Sequence, residues 1–165
     1  MAWLLIMALA VVICFAVAIL LGAPYLPTLK EQTVTAINLL DLAAGQTLIE
    51  LGSGDGRVLL AAAKRGIRGI GYEVNPIMVL VGRIVTWRYR HLIDIYWRDI
   101  WRIKLPRAEG VYVFLLKRHM KKLDKKIAQE CPYPIKVVSF AFAFDNHVPV
   151  AEQSGVMLYE LGKRQ

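Results

Sequence analysis

The stretch ELGSGDGR, residues 50–57, decides the fold because three closely spaced glycines join an apolar run to a helical pattern. The apolar run TLI (47–49) precedes it and is typical of a short buried strand. RVLLAAAKRG (57–66) follows with helical spacing and ends at a glycine. Glycines at such a junction let the main chain turn sharply and approach a ligand without a Cβ in the way. We therefore expect a strand, a ligand-binding loop and a helix in succession.

Helical and strand patterns alternate on both sides of this loop. Helices are predicted over residues 31–43, 57–66, 75–92 and 117–131, and further strands over 67–74, 93–97, 110–116, 135–144 and 155–164. Thr28 or Thr33 is expected to cap the first helix, and Asn75 with Pro76 to begin the third. This alternation predicts an α/β fold with a Rossmann-like, doubly wound, mostly parallel sheet covered on both faces.

The first 21 residues are apolar, and no charged side chain occurs before Lys30. About 20 apolar residues in a helix span the hydrocarbon core of a bilayer. A cleaved signal peptide carries a positive n-region, and this segment has no Lys or Arg, so an uncleaved anchor is favoured. We expect one transmembrane helix over residues 1–22, a linker over 23–30 and a single domain over 31–165.

The domain is basic, with all 21 Lys and Arg residues after the apolar segment, against 13 acids, for a net charge of +8. Positive flanks tend to stay inside, which predicts a single-pass membrane protein with the domain in the cytoplasm or an equivalent interior compartment. A basic domain is also drawn to anionic lipid, and nucleic acid is the other partner that the charge permits. The two cysteines and three scattered histidines lack metal-ligand spacing, so no metal is expected.

The glycine spacing departs from the dinucleotide fingerprint G-x-G-x-x-G, because Arg57 stands at the third position and the glycine comes early, at Gly56. Glu50, ahead of the first glycine, would repel a pyrophosphate and suits the amino group of an amino acid. Glu73 closes the second predicted strand, where an acid suits a ribose diol. A ligand with an amino acid end, a ribose and no phosphate is S-adenosyl-L-methionine.

ELGSGDG resembles motif I of the seven-strand S-adenosylmethionine-dependent methyltransferases, GYEVNP their post-I segment, and WRDIW the acid after their third strand. PYLPT, GIGYEVNPIMV, VYVFLL and IKVVSFAF are similar to a narrower group within them. That group contains archaeal protein-lysine methyltransferases and the mitochondrial lysine methyltransferases that act on the c subunit of ATP synthase and on the ADP/ATP carrier. The likeness covers roughly residues 31–165. It implies an enzyme that methylates a lysine of a protein, with membrane proteins among the candidate substrates.

The resemblance also implies roles for individual residues. Glu73 would bind the ribose and Asp99 the adenine amino group. The roles of Asp55 and Arg57 stay open, since Asp55 is also suited to cap the helix and Arg57 to lie on its outer face. The remaining cofactor-binding residues would be Glu50, Gly52, Ser53, Gly54 and Gly56 around the methionine end, Val74 and Asn75 beside the adenine, and Ile100 against its ring.

No dedicated catalytic base is expected, because a channel of low dielectric constant depresses the pKa of a substrate lysine. Candidates to line this channel are Tyr25, Phe114, Leu115, Phe140 and Phe142, and the alternation in SFAFAF predicts that its aromatic side chains share one sheet face. The motif [DN]-P-P-[YF] that nucleic-acid amino methyltransferases carry after the fourth strand is absent. A small lipophilic acceptor, such as a quinone or lipid, and a non-catalytic basic module that binds RNA or membrane are the competing hypotheses.

Overall fold

The computed structural model of the protein describes residues 3–9, 12 and 28–162. Residues 3–9 are helical and expose their side chains. Within the described ranges, no helix is both long enough and apolar enough to cross a membrane. Most of the predicted anchor (1–22) and of the linker (23–30) lies outside the described residues.

Helices and strands alternate through the domain, as the sequence predicts. The elements are α1 (Lys30–Leu40), β1 (Thr47–Leu51), α2 (Arg57–Ala63), β2 (Arg68–Glu73), α3 (Pro76–Val85), β3 (Ile93–Trp97), β4 (Gly110–Val113), α4 (Lys117–Glu130), β5 (Ile135–Phe140), β6 (Ala151–Gln153) and β7 (Val156–Leu161), with a 3₁₀ turn at Trp87–Tyr89.

The strands form one seven-stranded sheet in the order β3-β2-β1-β4-β5-β7-β6. Strands β1 to β5 are parallel, and β7 pairs antiparallel with both β5 and β6. The Rossmann-like, mostly parallel sheet is therefore confirmed. The strand order reverses between the parallel strands β1 and β4, since β2 and β3 lie on one side of β1 and the later strands lie on the other. In open α/β sheets the ligand crevice lies at such a switch point, outside the carboxyl ends of the strands. We refer to that side of the sheet as the carboxyl edge.

Alternation along the strands divides the core between the two faces of the sheet. Ile49 and Leu51 of β1 pack on one side with residues of α4, whereas Leu48 packs on the other side with residues of α1 and α2. A third cluster joins α2 and α3 to Ile93 and Ile95 of β3. Helices therefore cover both faces, which is the layered arrangement that a buried parallel sheet requires.

Several predicted elements end earlier in the structure than in the sequence pattern. Helix α1 stops at Leu40 because Asp41 is left-handed, with φ of 43°. Helix α3 stops at Val85 rather than continuing to 92, and the Thr86 hydroxyl donates to the Gly82 carbonyl at 2.7 Å where the 3₁₀ turn begins.

The predicted common face for the SFAFAF aromatics is wrong. Strand β5 ends at Phe140, and Ala141 has a φ of 67°, which breaks the alternation. Phe140 consequently packs with the α1–α2 cluster and Phe142 with the α4 cluster. Strand β6 is an addition that the sequence pattern did not predict.

The predicted caps of α1 are also wrong. Leu29 occupies the N-cap position, with no side-chain cap. The Thr28 hydroxyl pairs instead with the Tyr112 hydroxyl at 2.8 Å, and the Thr33 hydroxyl donates to the Leu29 carbonyl at 3.0 Å. By contrast, the predicted start of α3 is confirmed, because the Asn75 side chain accepts from the Ile77 N–H at 2.9 Å.

Candidate active site

The glycine loop between β1 and α2 lies at the carboxyl edge and is fastened to the neighbouring strand. The N–H groups of Gly52 and Ser53 donate to the Tyr72 carbonyl of β2 at 2.9 and 3.0 Å. Gly52 has a φ of 89°, a conformation that strongly favours glycine, and a Cβ built there would meet no atom within 4 Å. The loop therefore presents bare main chain to open space, as a close-binding ligand requires.

Two buried polar atoms beneath this loop have no hydrogen-bond partner, Glu50 Oε2 and Ser53 Oγ. Both residues are 3% exposed. Burial raises the pKa of Glu50 well above its ordinary value, and the charges of Asp55 and Glu73 raise it further, while the Leu59 N–H opposes them. Buried polar groups without partners are uncommon in folded proteins and indicate a functional site or an unseen ligand.

The Glu73 carboxylate stands at the end of β2, immediately beside the loop. Its Oε2 accepts from the Gly54 N–H at 2.9 Å, and its Oε1 accepts from the N–H groups of Val74 and Asn75 at 2.9 and 2.8 Å. A carboxylate has about four acceptor sites, so these three donors leave capacity for a further hydroxyl. The three bonds hold the carboxylate in one orientation between the loop and α3.

The segment after β2 is pinned from the adjacent strand by Trp97, a residue that sequence reasoning did not assign to the site. The Trp97 indole N–H donates to the Val74 carbonyl at 2.8 Å. The Asn75 side chain is buried and caps α3, so its side-chain oxygen accepts from the helix rather than facing the open edge. The available signal was a tryptophan two positions before the predicted acid of WRDIW.

Asp99 follows β3 and is partly exposed. Its Oδ1 accepts from the Trp101 N–H at 2.9 Å, and its Oδ2 lies 3.6 Å from Arg102 Nε. Ile100 is 9% exposed and belongs to the core cluster beneath α4. Asp99 thus stands at the carboxyl edge two strands away from the glycine loop, while most of the Ile100 side chain is used in packing.

Arg57 and Asp55 form a link between the loop and the segment that precedes α1. Arg57 Nε lies 3.0 Å from both Asp55 oxygens, Arg57 Nη2 donates to Asp55 Oδ2 at 2.6 Å, and Arg57 Nη1 donates to the Thr28 carbonyl at 3.0 Å. Arg57 is therefore joined to the loop and to the segment before α1, while its side chain stays partly exposed. Since Thr28 also pairs with the buried Tyr112 hydroxyl, the segment is fixed over β4 from two sides. Sequence reasoning missed the contribution of Tyr112.

The predicted channel residues divide into two groups. Phe114 directly follows β4, and Phe140 is the last residue of β5. Their rings contact each other with centroids 4.7 Å apart. Leu115 and Phe142 pack instead against the α4 cluster on the other face of the sheet. Tyr25 lies outside the described residues, three positions before Thr28. The structure therefore brings together one aromatic pair at the carboxyl edge beside β4.

Glycines allow α3 to approach the loop closely, another feature that sequence reasoning missed. A Cβ on Gly82 would lie 3.2 Å from the Gly54 carbonyl oxygen and 2.9 Å from the Ile95 side chain. A glycine inside a helical pattern was the available signal, since it weakens a helix unless packing requires it.

The donors and acceptors at this edge fit S-adenosylmethionine. Glu50 and Ser53 offer unpaired polar atoms to an amino acid end, and Glu73 offers a positioned carboxylate to a ribose. Among the described residues, no group of His, Cys, Asp or Glu side chains is arranged to hold a metal ion.

The fold and this edge define the class of Rossmann-like methyltransferases. An RNA methyltransferase from Salinibacter ruber in complex with S-adenosyl-L-homocysteine superposes with a TM-score of 0.75 at 27% identity, covering 82% of this chain and 92% of that one. A methyltransferase from Geobacter sulfurreducens, also with S-adenosyl-L-homocysteine, has a TM-score of 0.61 at 16% identity over 76% of this chain and 53% of its own. The second likeness concerns the fold alone.

The family model described as ANTKMT methyltransferase domain matches residues 50–151, and the chain belongs to this family. It is 34% identical over 128 residues to the ATP synthase c-subunit lysine N-methyltransferase of Xenopus laevis, covering 76% of this chain and 56% of that protein. It is also 34% identical over 134 residues to adenine nucleotide translocase lysine N-methyltransferase of Mus musculus, covering 79% and 58%. The chain thus spans little more than half the length of these relatives. The resemblance drawn from the motifs is confirmed.

Proposed function

We propose that this chain is an S-adenosylmethionine-dependent protein-lysine N-methyltransferase held at a membrane. One observation carries the cofactor assignment: the Glu73 carboxylate is fixed by three main-chain N–H groups beside the open main chain of Gly52. A ribose diol donates hydrogen bonds that such a carboxylate accepts. Membership of a methyltransferase family and the S-adenosyl-L-homocysteine in the structural relatives support the same cofactor.

When bound, S-adenosylmethionine supplies a methyl group on a positively charged sulfur, which a lone pair attacks in line. The contribution of the protein is alignment and exclusion of water. In this proposal Glu50 and Ser53 meet the amino acid end, Glu73 holds the ribose, and Asp99 meets the adenine amino group. The glycine loop, held on β2, keeps these groups at fixed distances from one another.

The acceptor is proposed to be a lysine side chain, as in the names of the two relatives. Phe114 and Phe140 form an apolar surface beside β4, and Phe114 lies directly after the strand that carries the buried Tyr112. An apolar channel disfavours the ammonium form of a lysine and so releases the lone pair that attacks. The Arg57–Thr28 hydrogen bond fixes the start of the described segment before α1.

A membrane location for the substrate follows from the apolar segment. Residues 1–21 have the length and composition of a bilayer anchor, and a tethered domain reaches only acceptors near its own membrane. The target is therefore proposed to be a membrane-associated protein, with the domain on the interior side.

Radiolabelled cofactor supplied to the full chain together with its native membranes tests this function. Label should enter protein, and acid hydrolysis should release methylated lysine. At a limiting cofactor concentration the Glu73→Gln variant should transfer much less label, whereas the Glu109→Gln variant should retain the transfer, because Glu109 accepts from the Thr47 N–H near the opposite edge of the sheet. Label in the lipid extract but not in protein would contradict the proposal and indicate the lipophilic acceptor.

RNA is a second candidate acceptor, favoured by the RNA methyltransferase among the structural relatives and by the net charge of +8. The same experiment separates the two, because label would then be removed by ribonuclease and not by protease. The missing [DN]-P-P-[YF] motif after β4 favours protein over RNA.

A further inference from the structure

Helix α3 has apolar side chains on both of its faces. Met78 and Val79 are buried against the sheet, as expected for a covering helix. Leu80 and Ile84 point outward and are 60% and 66% exposed. A surface helix of a globular domain normally carries polar residues on its outer side, so this exposed face lacks the partner that its composition suits.

The exposed residues form one continuous surface, which we call the α3 face: Leu80, Val81, Ile84, Val85 and Trp87. Leu80 and Ile84 are one helical turn apart, so their side chains adjoin each other, and Trp87 follows directly after the end of the helix. Trp87 lies in the 3₁₀ turn after the helix and is 63% exposed. The α3 face thus extends for about 11 Å along the flank of the domain.

The charged residues of the segment that forms this surface are all arginines. Arg83, Arg88 and Arg90 lie within or just after the helix, and the sequence has no Asp or Glu between Glu73 and Asp94. The Arg90 guanidinium stands 4.5 Å from the centre of the Trp87 ring. Arg83 also donates to the Ile95 carbonyl of edge strand β3, at 2.7 Å through Nη2. The surface therefore combines apolar area with positive charge, and its own segment supplies no counter-charge.

We propose that the α3 face docks on the surface of an anionic lipid bilayer. Exposed Leu, Ile and Trp side chains enter the interfacial region of the bilayer, and the guanidinium groups of the arginines stay at the level of the lipid phosphates. Each arginine near an anionic surface strengthens partitioning by roughly fivefold. A tryptophan beside arginines is typical of the membrane interface. The docking does not depend on the proposed methyl transfer or on residues 1–21.

Docking would set the orientation of the site relative to the lipid. Helix α3 begins at Pro76, three residues after Glu73, and its axis runs back along the sheet from the carboxyl edge. With the α3 face on the lipid, the carboxyl edge opens sideways, close to the level of the headgroups. A residue that protrudes from a membrane protein is then within reach, whereas one far from the membrane is not.

A spin label on the full chain in vesicles tests the docking. In a Cys14→Ser background, with Cys131 buried and unreactive, Ile84→Cys carries the label on the α3 face and Val148→Cys carries it at an 88% exposed control position. In vesicles of phosphatidylcholine and phosphatidylglycerol, the label at 84 should become more accessible to oxygen than to a water-soluble nickel chelate. The label at 148 should remain accessible to the chelate.

Charge reversal provides the second variant. Arg88→Glu with Arg90→Glu should return the label at 84 to the accessibility of the label at 148, and so should vesicles of phosphatidylcholine alone. Equal accessibility at 84 and 148 in the anionic vesicles would overturn the proposal. A label at 84 that is shielded in detergent from both oxygen and the chelate would also overturn it, because part of this chain or a second copy would then cover the face. Calorimetry with S-adenosylmethionine on the same samples reports the proposed function separately.

Discussion

Glu73 is the single residue on which the cofactor assignment depends. Its two oxygens face three main-chain N–H groups, so the amide of a Glu73→Gln variant must turn its NH₂ group toward donors. A lost hydrogen bond to a charged group costs about 1.5–3 kcal/mol. We expect the dissociation constant for S-adenosylmethionine to rise roughly ten- to a hundred-fold in calorimetry.

The matched control for this change is Glu109→Gln, an acid that accepts from one N–H near the amino ends of the strands. It should leave cofactor affinity unchanged while altering stability to a similar or smaller extent. Equal weakening in both variants would mean that Glu73 acts through stability and does not touch the ribose.

Glu50 predicts a pH dependence whose sign follows from its raised pKa. The folded protein keeps a proton that the unfolded chain loses above the ordinary value of 4.5, so stability without cofactor declines as pH rises from there toward the raised value. A cationic amino group pairs only with the ionised carboxylate. Cofactor binding should therefore release a proton and tighten as pH rises through the same window.

Calorimetry in buffers of different ionisation enthalpy measures this proton release directly. Glu50→Gln should bind the cofactor more weakly and with no proton release. Binding to the unchanged protein that tightens as pH falls would rule out the pairing of Glu50 with the amino group.

At the scale of elements, the segment before α1 is joined to β4 by the pair of hydroxyls on Thr28 and Tyr112. Tyr112 is 1% exposed and Thr28 is 6% exposed, so removing one hydroxyl leaves the other buried without its partner. That costs about 1–3 kcal/mol, whereas removing both is far less costly per group.

We therefore expect Thr28→Val and Tyr112→Phe to be non-additive in urea unfolding, with a coupling energy of about 1 kcal/mol. Thr33→Val, which loses only a bond to a local carbonyl, serves as the control partner and should be additive with Tyr112→Phe. Additivity of the Thr28 and Tyr112 changes would mean that the segment does not rest on β4.

Elements were predictable where local sequence and tertiary packing agree. Strand β3 has the predicted bounds because IDIYW alternates and turn residues flank it. Strand β5 was extended too far, because SFAFAF continues the alternation beyond Ala141, where the backbone turns. Strand β6 was missed, since AEQ has no apolar alternation and depends on its hairpin with β7. Where a strand has no local apolar pattern, only its pairing with neighbouring strands makes it a strand, and the sequence pattern alone does not predict it.

For the whole molecule, the sequence predicted the site residues that follow strands, but it did not predict their hydrogen-bond partners from distant segments. Glu50, the glycine loop and Glu73 were found because they follow strands that a parallel sheet brings to one edge. Their partners were not found, because the hydrogen bonds of Arg57 to Thr28 and of Trp97 to Val74 join segments separated by 29 and 23 positions. No spacing rule encodes such contacts. The loop motif predicts the ligand, while the residues that surround and fix the loop depend on tertiary structure.

The orientation of the whole chain in a membrane gives the last prediction. Lys30 is the basic residue nearest to the apolar segment and lies on the side of the domain, which predicts that the domain stays on the interior side. In right-side-out vesicles, a tag after Gln165 should be protected from added protease and should stay with the membrane in alkaline carbonate. Ala2→Arg with Trp3→Arg reverses the charge bias and should expose the tag in part of the population. Ala23→Arg with Pro24→Arg adds the same charge on the domain side and should leave the tag fully protected. A tag that is accessible in the unchanged chain would place the domain on the outer side. Release of the chain by carbonate would show that residues 1–21 do not anchor it in the bilayer.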